Sequence, residues 1–407
     1  MKWISSSRRD FLKRGAWAAA GLPWLAGQAQ DLVQMPFENG ERVMAKYPQK
    51  RPLIQLTSRP PQLETPFSVF NESLLTPNDA FFVRYHLTNS PPPQAKLQPD
   101  VFRLTVKGNV TTPLTLSVEE LRTRFENVET VAVLQCSGNS RGFFQPRIAG
   151  GQLGHGAMGC ARWRGVRLAD VLRAAGLEPT ARQVVFNGLD TPFLPATPDF
   201  VKALEVDLAL QPELLLAFEM NGEPLPWLNG FPLRLVVPGY YGTYWLKQLS
   251  EITVVDAEYK GFWMSTGYRI PDDPCAAIAP GTTPKRTVPI HRMNVRSFIT
   301  SLTDGAEVRV GTPVLLRGIA FDDGQGIREV LVSVDGGRRW EAASLGRSVG
   351  NYAFREWTLP WDPPKGGRYT LMARATNRLG QSQPLEPLWN PAGYMRNCVE
   401  PVAVNAV

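Results

Sequence analysis

The chain has 407 residues, 43% of them hydrophobic and 20% charged, which is ordinary globular composition at a length that exceeds one hydrophobic core. We therefore expect two domains. The formal net charge is +7, but residues 1–29 hold five basic side chains and one acidic one, so the remainder carries only +3. This small excess removes the main support for a nucleic-acid role.

The first 29 residues have the pattern of a twin-arginine export signal. The basic segment SRRDFLK contains Arg8 and Arg9, an apolar segment follows, and small residues stand at Gly27 and Ala29. An amphipathic N-terminal helix of a cytosolic enzyme is the alternative. Because this route exports folded proteins, the signal predicts a cofactor inserted before export and a periplasmic location. No later apolar run reaches the roughly 18 residues of a membrane span, so we expect none.

Residues 30–285 are predicted to form a mixed α+β domain. The segment VRLADVLRAAG places apolar side chains on one helical face, and Gly176 should end that helix. Short strands are predicted from apolar or alternating segments: FFVRYHL (81–87), FRLTVKG (102–108), VETVAVLQ (128–135), QVVFNGLD (183–190) and PLRLVVPG (232–239).

Residues 286–407 are predicted to form a second domain after a proline-rich connector, PCAAIAPGTTPKRTVPI. EVLVSVDGGRRW and YTLMARATN alternate as strands do, and the first turns on Asp335-Gly336-Gly337. Several short strands without helices indicate a β-sandwich of about the immunoglobulin size. We expect this domain to mediate association, either as a homodimer or with another subunit.

Cys136 stands where VETVAVLQ meets the loop CSGNSRG. A packing cysteine, which is the structural alternative, would normally remain inside the apolar run. The chain has four cysteines, at 136, 160, 275 and 398, with no C-x-x-C spacing for a zinc knuckle or covalent haem. Cys136 therefore looks presented to a ligand.

Other polar side chains also stand where apolar runs stop. Each has a structural explanation by itself, such as a surface cation or a turn-initiating aspartate. A thiolate selects soft metals, but one cysteine without neighbouring ligands cannot build a zinc site, so an organic cofactor should supply the remaining coordination. Arginine and lysine suit a phosphate or an oxyanion substrate. The residues concerned are Arg84, His86, Cys136, Arg141, Asp190, Arg234 and Lys247.

Several motifs in register resemble those of the sulfite oxidase family of molybdenum enzymes, from about residue 65 to 400. They are FFVRYH, VLQCSGNSR, GCARWRGVRLADVL, LLLAFEMNGEPLP, GFPLRLVVPG, YWLKQL and DAEYKGF. The resemblance implies the family's molybdopterin-binding domain followed by an immunoglobulin-like dimerisation domain. It also implies oxidation of sulfite to sulfate by oxygen-atom transfer.

The resemblance further implies one molybdenum-molybdopterin per chain, with Cys136 as the single protein ligand of the metal. Arg84 and Arg141 would flank the substrate oxyanion, and Tyr259 would lie beside the metal's oxygen, with Tyr268 as its rival. The expected contacts to the pterin and its phosphate are Arg84, His86, Asp190, Asn229, Arg234, Trp245, Leu246 and Lys247.

The chain departs from the vertebrate members at three points. Asn229 stands where they carry a pterin-contacting histidine, and Ala392 where they carry an arginine that assists substrate binding. No haem domain precedes the molybdenum domain, so a separate c-type cytochrome is the expected electron acceptor. The other cysteines, Cys160, Cys275 and Cys398, match no family ligand and are expected to be buried thiols.

Three alternatives to a sulfite dehydrogenase remain at this point. A sulfane-sulfur dehydrogenase of a thiosulfate-oxidising system would use the same site, and a molybdenum sulfoxide reductase would run oxygen transfer in reverse. The predicted β-sandwich disfavours the reductase. An exported binding protein could keep the scaffold without the activity, but such a protein has no reason to retain the oxidisable Cys136.

Overall fold

Five short antiparallel strands open the part of the chain that the structure, a computed structural model, describes: residues 32–35 and 39–407. The predicted export signal lies outside these residues. The strands are β1 (Leu32–Gln34), β2 (Glu41–Ala45), β3 (Leu53–Ser58), β4 (Pro61–Glu64) and β5 (Val83–Arg84), hydrogen-bonded in that order.

The predicted strand at 81–87 is much shorter in the structure than expected. Only Val83–Arg84 pairs, opposite Leu63 and Gln62 of the short strand β4. The flanking side chains of Phe81 and Tyr85 are buried in the core instead of alternating between two faces. As a result, Arg84 stands at the edge of this sheet.

Two further sheets form the centre of the molecule. Their strands are β6 (Leu104–Gly108), β7 (Leu114–Leu116), β8 (Asn127–Gln135), β9 (Met158–Arg167), β10 (Gln183–Gly188), β11 (Lys202–Glu205), β12 (Leu215–Met220), β13 (Glu223–Pro224), β14 (Arg234–Val236) and β15 (Leu249–Val255). One sheet has the order β11-β10-β15-β6-β7, in which β15 and β6 are parallel, and the other has the order β13-β12-β9-β8 with β14 on β12. The strands predicted in 102–108, 128–135, 183–190 and 232–239 are thus confirmed.

In the described part of the chain, four short α-helices accompany these sheets: α1 (Val118–Arg124), α2 (Leu168–Ala175), α3 (Val206–Ala209) and α4 (Phe262–Ser265). The predicted amphipathic helix is α2, and its apolar face is buried. Gly176 ends it at φ +72°, a left-handed conformation that glycine adopts without strain, and its amide donates to the carbonyls of Leu172 and Arg173. None of the helices in the described ranges has the length and apolar character of a membrane span.

A β-sandwich follows the small ribbon of β16 (Arg269–Pro271) and β17 (Thr287–Pro289). Its strands are β18 (Arg296–Ile299), β19 (Ala306–Val308), β20 (Val314–Phe321), β21 (Ile327–Ser333), β22 (Glu341–Ala342), β23 (Ser344–Leu345), β24 (Arg355–Trp361), β25 (Gly367–Asn377) and β26 (Val402–Ala406). The two sheets have the orders β18-β20-β24-β23 and β19-β26-β25-β21-β22. The fold class is confirmed as α+β with an immunoglobulin-like sandwich.

The sandwich has a hydrophobic core of its own, as its alternating strands require. Val330 and Val332 of β21 and Leu371 of β25 are buried there with Trp357, whose indole donates to Ser297 Oγ at 2.9 Å. Removing each such side chain from water contributes roughly 1.5–3 kcal/mol to stability. The alternation seen in the sequence is therefore the packing pattern of this domain.

All four cysteines are free thiols, and one of them differs from expectation. Cys160 and Cys398 are buried, and burial raises the pKa of each thiol to about 12. Cys275 was expected to be buried too, but it is exposed. It lies in the surface connection between β16 and β17, beside the exposed Asp273 and Pro274.

Candidate active site

Cys136 follows the last residue of β8, where the ladder with β9 ends at Gln135. Its amide donates to the carbonyl of Ala157 at 2.9 Å, and its own carbonyl accepts from the amide of Asn139 at 3.0 Å. Its residual exposure is 9%. The backbone therefore holds the thiol at the edge of a rigid sheet rather than on a free loop.

A small cavity of about 40 Å³ lies between the strand ends of the first domain. Seven of the eleven side chains that the sequence proposed for the site line it: Arg84, His86, Asn229, Arg234, Trp245, Leu246 and Lys247. Further lining residues are Phe82, Val83, Leu134, Phe200, Leu228, Gly242, Thr243 and Tyr268. Segments that are far apart in the chain, from residues 82 to 268, thus meet around one volume.

The cations around the cavity are held by carbonyl oxygens. Lys247 Nζ donates to the carbonyl of Arg84 at 2.8 Å, and Arg84 Nη1 donates to the carbonyl of Tyr85. Arg234 donates through Nη1 to Asn229 O at 2.7 Å and through Nη2 to Trp245 O at 3.2 Å. A carbonyl orients a cation without neutralising it, so the cavity wall keeps its positive charge.

Burial of the basic groups around the cavity, without enough negative charge nearby, lowers their pKa values. Burial lowers the pKa of Lys247 to about 7, and Arg234 contributes to the same shift. Burial also lowers the pKa of Arg234 to about 9, and it lowers the pKa of His86 well below its usual value. An anion placed in the cavity would reverse these shifts, because it favours the charged forms.

Unpaired polar atoms in the wall test whether the molybdopterin expected from the sequence fits. Arg234 Nε and Thr243 Oγ1 of the cavity wall are buried and find no hydrogen-bond partner among the described residues. Ser137 Oγ and Asn139 Nδ2, in the loop after Cys136, are likewise unpaired. Buried polar groups in native proteins are nearly always satisfied. Donors and hydroxyls left over beside uncompensated cations match a polar, anionic ligand, so the residues present fit a pterin with its phosphate.

Asp190 lies beside the cationic wall without lining the cavity itself. Burial raises the pKa of its carboxyl to about 6, and Lys247 opposes that rise. Ser90 Oγ donates to Asp190 Oδ2 at 3.5 Å. The carboxylate thus offsets part of the charge of Lys247 and leaves the two arginines uncompensated.

Asn229 lines the cavity but uses its side chain within the protein. Its Oδ1 accepts from Lys50 Nζ at 2.5 Å, and its Nδ2 donates to Phe82 O at 3.0 Å. Lys50 was not recognised in the sequence, because it precedes the motifs in a region without a clear pattern. The structure gives Asn229 the role of a support for Arg234, whose guanidinium its carbonyl orients.

Arg141 lies under a segment from the C-terminal domain. Its Nε donates to the carbonyl of Ala392 at 3.0 Å, and its Nη1 donates to the carbonyl of Gly151 at 3.3 Å. Tyr394 covers the guanidinium, with its ring centroid 5.2 Å from Arg141 Cζ. Ala392, the position at which an arginine was expected from the family resemblance, therefore binds Arg141 through its backbone carbonyl.

Tyr268, and not Tyr259, reaches the cavity. Tyr268 is hydrogen-bonded to His86 Nε2, and its phenol interacts electrostatically with Arg84, Arg141 and Cys136. Tyr259 is half-buried in a different groove with Gln183 and Met264, because its amide is tied to Gln183 Oε1 at 2.7 Å. The structure thus brings the rival residue, and not Tyr259, to the predicted site.

Lys202 is a further buried cation that sequence reasoning missed. Its Nζ donates to Trp263 O at 2.6 Å and lies 5.5 Å from the ring centroid of Tyr268 and 4.5 Å from that of Tyr244. Burial lowers the pKa of Lys202 to about 7. No local motif marks this lysine in the sequence.

A buried polar network holds the loop that follows Cys136. Ser140, at φ +67°, shares a hydrogen bond of 2.6 Å with His155 Nδ1 and accepts from Arg296 Nη2 at 2.7 Å. Arg296 and Arg396 both donate to Glu400 at 3.0 Å. The C-terminal domain therefore anchors the loop that carries Cys136 and Arg141.

Comparison with known protein families identifies this arrangement. Residues 89–263 match the family described as "Oxidoreductase molybdopterin binding domain", and residues 287–407 match the "Mo-co oxidoreductase dimerisation domain". The fold and the cationic cavity are thus those of a molybdopterin-binding oxidoreductase, and the cofactor is molybdenum-molybdopterin.

Relatives narrow the class further. The chain is 33% identical over 396 residues to mitochondrial sulfite oxidase of Rattus norvegicus, and the alignment covers 93% of this chain and 70% of the relative. It is 30% identical over 385 residues to sulfite oxidase of Arabidopsis thaliana, and that alignment covers 89% of this chain and 96% of the relative. The chain belongs to the sulfite oxidase family. It spans only 65% of the human mitochondrial enzyme.

A solved structure shows the same fold. The sulfane dehydrogenase SoxCD from Paracoccus pantotrophus superposes with a TM-score of 0.71, covering 99% of this chain and 100% of that chain at 22% sequence identity. This likeness concerns the fold, including the β-sandwich.

Proposed function

We propose that this protein oxidises sulfite to sulfate, with Cys136 as the protein ligand of the molybdenum. One observation carries the proposal: Arg84, Arg234, Lys247 and Tyr268 line one cavity, which Leu134, two residues before Cys136, also lines. Cys136 is a soft ligand, and Arg84 and Arg141 suit a small oxyanion.

When bound, the molybdenum cofactor supplies oxygen-atom transfer and accepts two electrons. The reaction adds one water oxygen to sulfite and releases sulfate, two electrons and two protons. Arg234, Lys247 and Thr243 are proposed to hold the cofactor's anionic and hydrogen-bonding groups, since they surround the cavity with uncompensated charge and unpaired polar atoms.

The two arginines are proposed to bind and orient the substrate. Backbone carbonyls of Ala392 and Gly151 aim the guanidinium of Arg141, while Arg84 is fixed at the edge of β5. Guanidiniums remain charged at any physiological pH, so they would neutralise sulfite and attract it to the site.

Tyr268 and His86 are proposed to hold one proton next to the substrate. Burial raises the pKa of the Tyr268 phenol, so the hydroxyl stays protonated at neutral pH. Burial and the charge of Arg84 lower the pKa of His86, so its ring is neutral and can accept from that hydroxyl. Phe200 stacks on the His86 ring at 3.9 Å and fixes its orientation.

The cellular setting is also part of the proposal. The pattern SRRDFLK supports export in the folded state to the periplasm, where a c-type cytochrome would take the two electrons one at a time. The match of residues 287–407 to a dimerisation domain supports a homodimer.

A sulfane-sulfur substrate is the second candidate. It is favoured by Ala392, which brings no charge to the wall where vertebrate relatives carry an arginine, so a less charged donor would lose less binding here. The solved structure with the same fold is named as a sulfane dehydrogenase, which agrees with this candidate at the level of the fold.

The decisive experiment uses protein expressed in a host that makes the cofactor. Molybdenum per chain is measured, and cytochrome c reduction is followed with sulfite, thiosulfate or a protein persulfide as donor. We expect one molybdenum per chain and fastest reduction with sulfite. Absence of molybdenum would support a binding protein, and persulfide as the better donor would support the sulfane dehydrogenase.

Cys136→Ser is the variant that tests the ligand. We expect it to abolish turnover while its circular dichroism remains that of the wild type. Cys275→Ser is the matched control, because this thiol is exposed and should be dispensable. Full activity of Cys136→Ser would show that another group holds the metal.

A further inference from the structure

We infer that Tyr394, which the C-terminal domain contributes to the site, is a positioning residue that sets substrate affinity by holding Arg141 and Tyr268 in place. The inference rests on the proposed function, because it treats Arg141 as part of an oxyanion pocket. It concerns a residue outside every motif that the sequence singled out.

Tyr394 contacts two side chains of the site at once. Its ring stacks on that of Tyr268, with centroids 5.2 Å apart and planes inclined by 12°. The guanidinium of Arg141 lies 5.2 Å from the same ring centroid. One phenol thus links the residue that would bind the oxyanion with the residue that would hold the proton.

The electrostatics of Tyr394 agree with its contact to Arg141. Burial raises the pKa of its phenol, and Arg141 opposes that rise. Cys136 also raises the pKa of this phenol, and Arg84 lowers it.

The backbone of the Tyr394 segment is fixed on both sides. The side chain of Asn390 accepts from the Tyr394 amide at 3.1 Å and donates to its carbonyl at 2.8 Å. The next amide, of Met395, donates to Ser137 O at 2.9 Å, in the loop that follows Cys136. The tyrosine is therefore a rigid part of the pocket wall.

The orientation of Arg141 matters more here because position 392 carries an alanine and supplies no second cation. Ala392 contributes only its carbonyl, which engages Arg141 Nε, and Gly151 O engages Nη1. With a ring over one face and two carbonyls on its edge, the Arg141 fork has one orientation. Affinity for the anion then depends on two arginines, of which Tyr394 positions one.

The test compares Tyr394→Leu, Tyr394→Phe and the control Tyr369→Phe, a tyrosine of the β-sandwich whose hydroxyl binds Lys365 O. Two quantities are measured on molybdenum-loaded protein: the sulfite KM with kcat, and the dissociation constant of sulfate by calorimetry. For Tyr394→Leu we expect both KM and the sulfate constant to rise about tenfold, with kcat within about twofold. Tyr394→Phe keeps the ring and should change each by no more than about twofold, and the control should change neither.

Unchanged KM and sulfate affinity in Tyr394→Leu would overturn the inference, as would loss of kcat at constant KM. Should Tyr394→Leu not fold, Tyr394→Met gives the same comparison with a flexible side chain that lacks an aromatic face. The sulfate measurement separates this inference from the proposed function. If the wild type fails to oxidise sulfite but binds sulfate more tightly than Tyr394→Leu, the function is wrong and the role of Tyr394 stands.

Discussion

His86 Nε2 and the hydroxyl of Tyr268 form a hydrogen bond across 182 residues of sequence. The bond places the phenol in the cavity that also contains Arg84 and Lys247. Tyr259, which the motif EYKGF indicated, lies in another groove with Gln183. The two tyrosines are close in sequence, but of the two only Tyr268 lines the cavity and is hydrogen-bonded to His86.

The first prediction contrasts these two tyrosines. Tyr268→Phe removes the hydroxyl that His86 binds, and we expect kcat/KM for sulfite to fall about a hundredfold, the usual size of one positioned proton donor. Tyr259→Phe should remain within about twofold of the wild type. Steady-state kinetics with cytochrome c measures both variants. The reverse order of effects would return the assignment to Tyr259.

The second prediction concerns the oxyanion pocket. Arg141→Met and Arg84→Met each remove one of two permanent charges, so the sulfite KM should rise about tenfold or more, since a charge-assisted hydrogen bond is worth about 1.5–3 kcal/mol. Arg164→Met is the control, because that arginine is part-exposed and paired with Glu219 at 3.2 Å. A KM that stays at the wild-type value in both site variants would contradict an oxyanion pocket here.

Much of the scaffold was predictable because it follows from local periodicity. The apolar stripe of α2 and its terminal glycine specify a helix without reference to the remainder of the chain, and the alternation of β21 and β25 specifies strands with one buried face. The cavity-lining residues Arg234 and Lys247 were found because they flank one apolar segment of the sequence, although in the structure Arg234 begins β14 and Lys247 precedes β15.

The parts that were missed depend on contacts that no local pattern records. Arg141 and Ala392 are 251 positions apart, so the sequence could not show that the carbonyl of one orients the other. Cys275 was expected to be buried because of its residue type, whereas its surface loop decides its exposure. Tyr259 was chosen by motif position. Tyr268, the residue before β16, lines the cavity, where it is hydrogen-bonded to His86.

The third prediction concerns cofactor retention. Arg234→Leu and Lys247→Met remove cations that face the proposed phosphate, so we expect molybdenum content after purification to fall to less than about half of the wild type, since each buried ionic contact is worth several kcal/mol. Lys107→Met, which breaks an exposed pair with Glu251, is the control. Molybdenum content is measured by inductively coupled plasma mass spectrometry. Full occupancy in both site variants would place the cofactor's anionic group elsewhere.

The fourth prediction concerns pH and the network under the Cys136 loop. Burial lowers the pKa of His155 to about 3, while Glu400 opposes the shift. A histidine whose folded pKa is depressed contributes stability above its unfolded pKa of about 6.5 and loses it as the pH falls toward the folded value. Between pH 7 and 5 this histidine should therefore lower the free energy of unfolding by about 2 kcal/mol.

Urea denaturation of the wild type and of His155→Phe at several pH values isolates this contribution. Phenylalanine keeps the stack on the Phe143 ring, whose centroid lies 4.0 Å from that of His155, but it cannot bind a proton. His86 and His291 titrate equally in both proteins, so the difference between the two pH profiles belongs to His155. We expect the variant to be less stable at pH 7, because it loses the hydrogen bond to Ser140, and to lose about 2 kcal/mol less than the wild type on acidification. Parallel profiles would mean that His155 is not held neutral in the folded protein, and that the loop carrying Cys136 is not anchored by this network in the way its contacts imply.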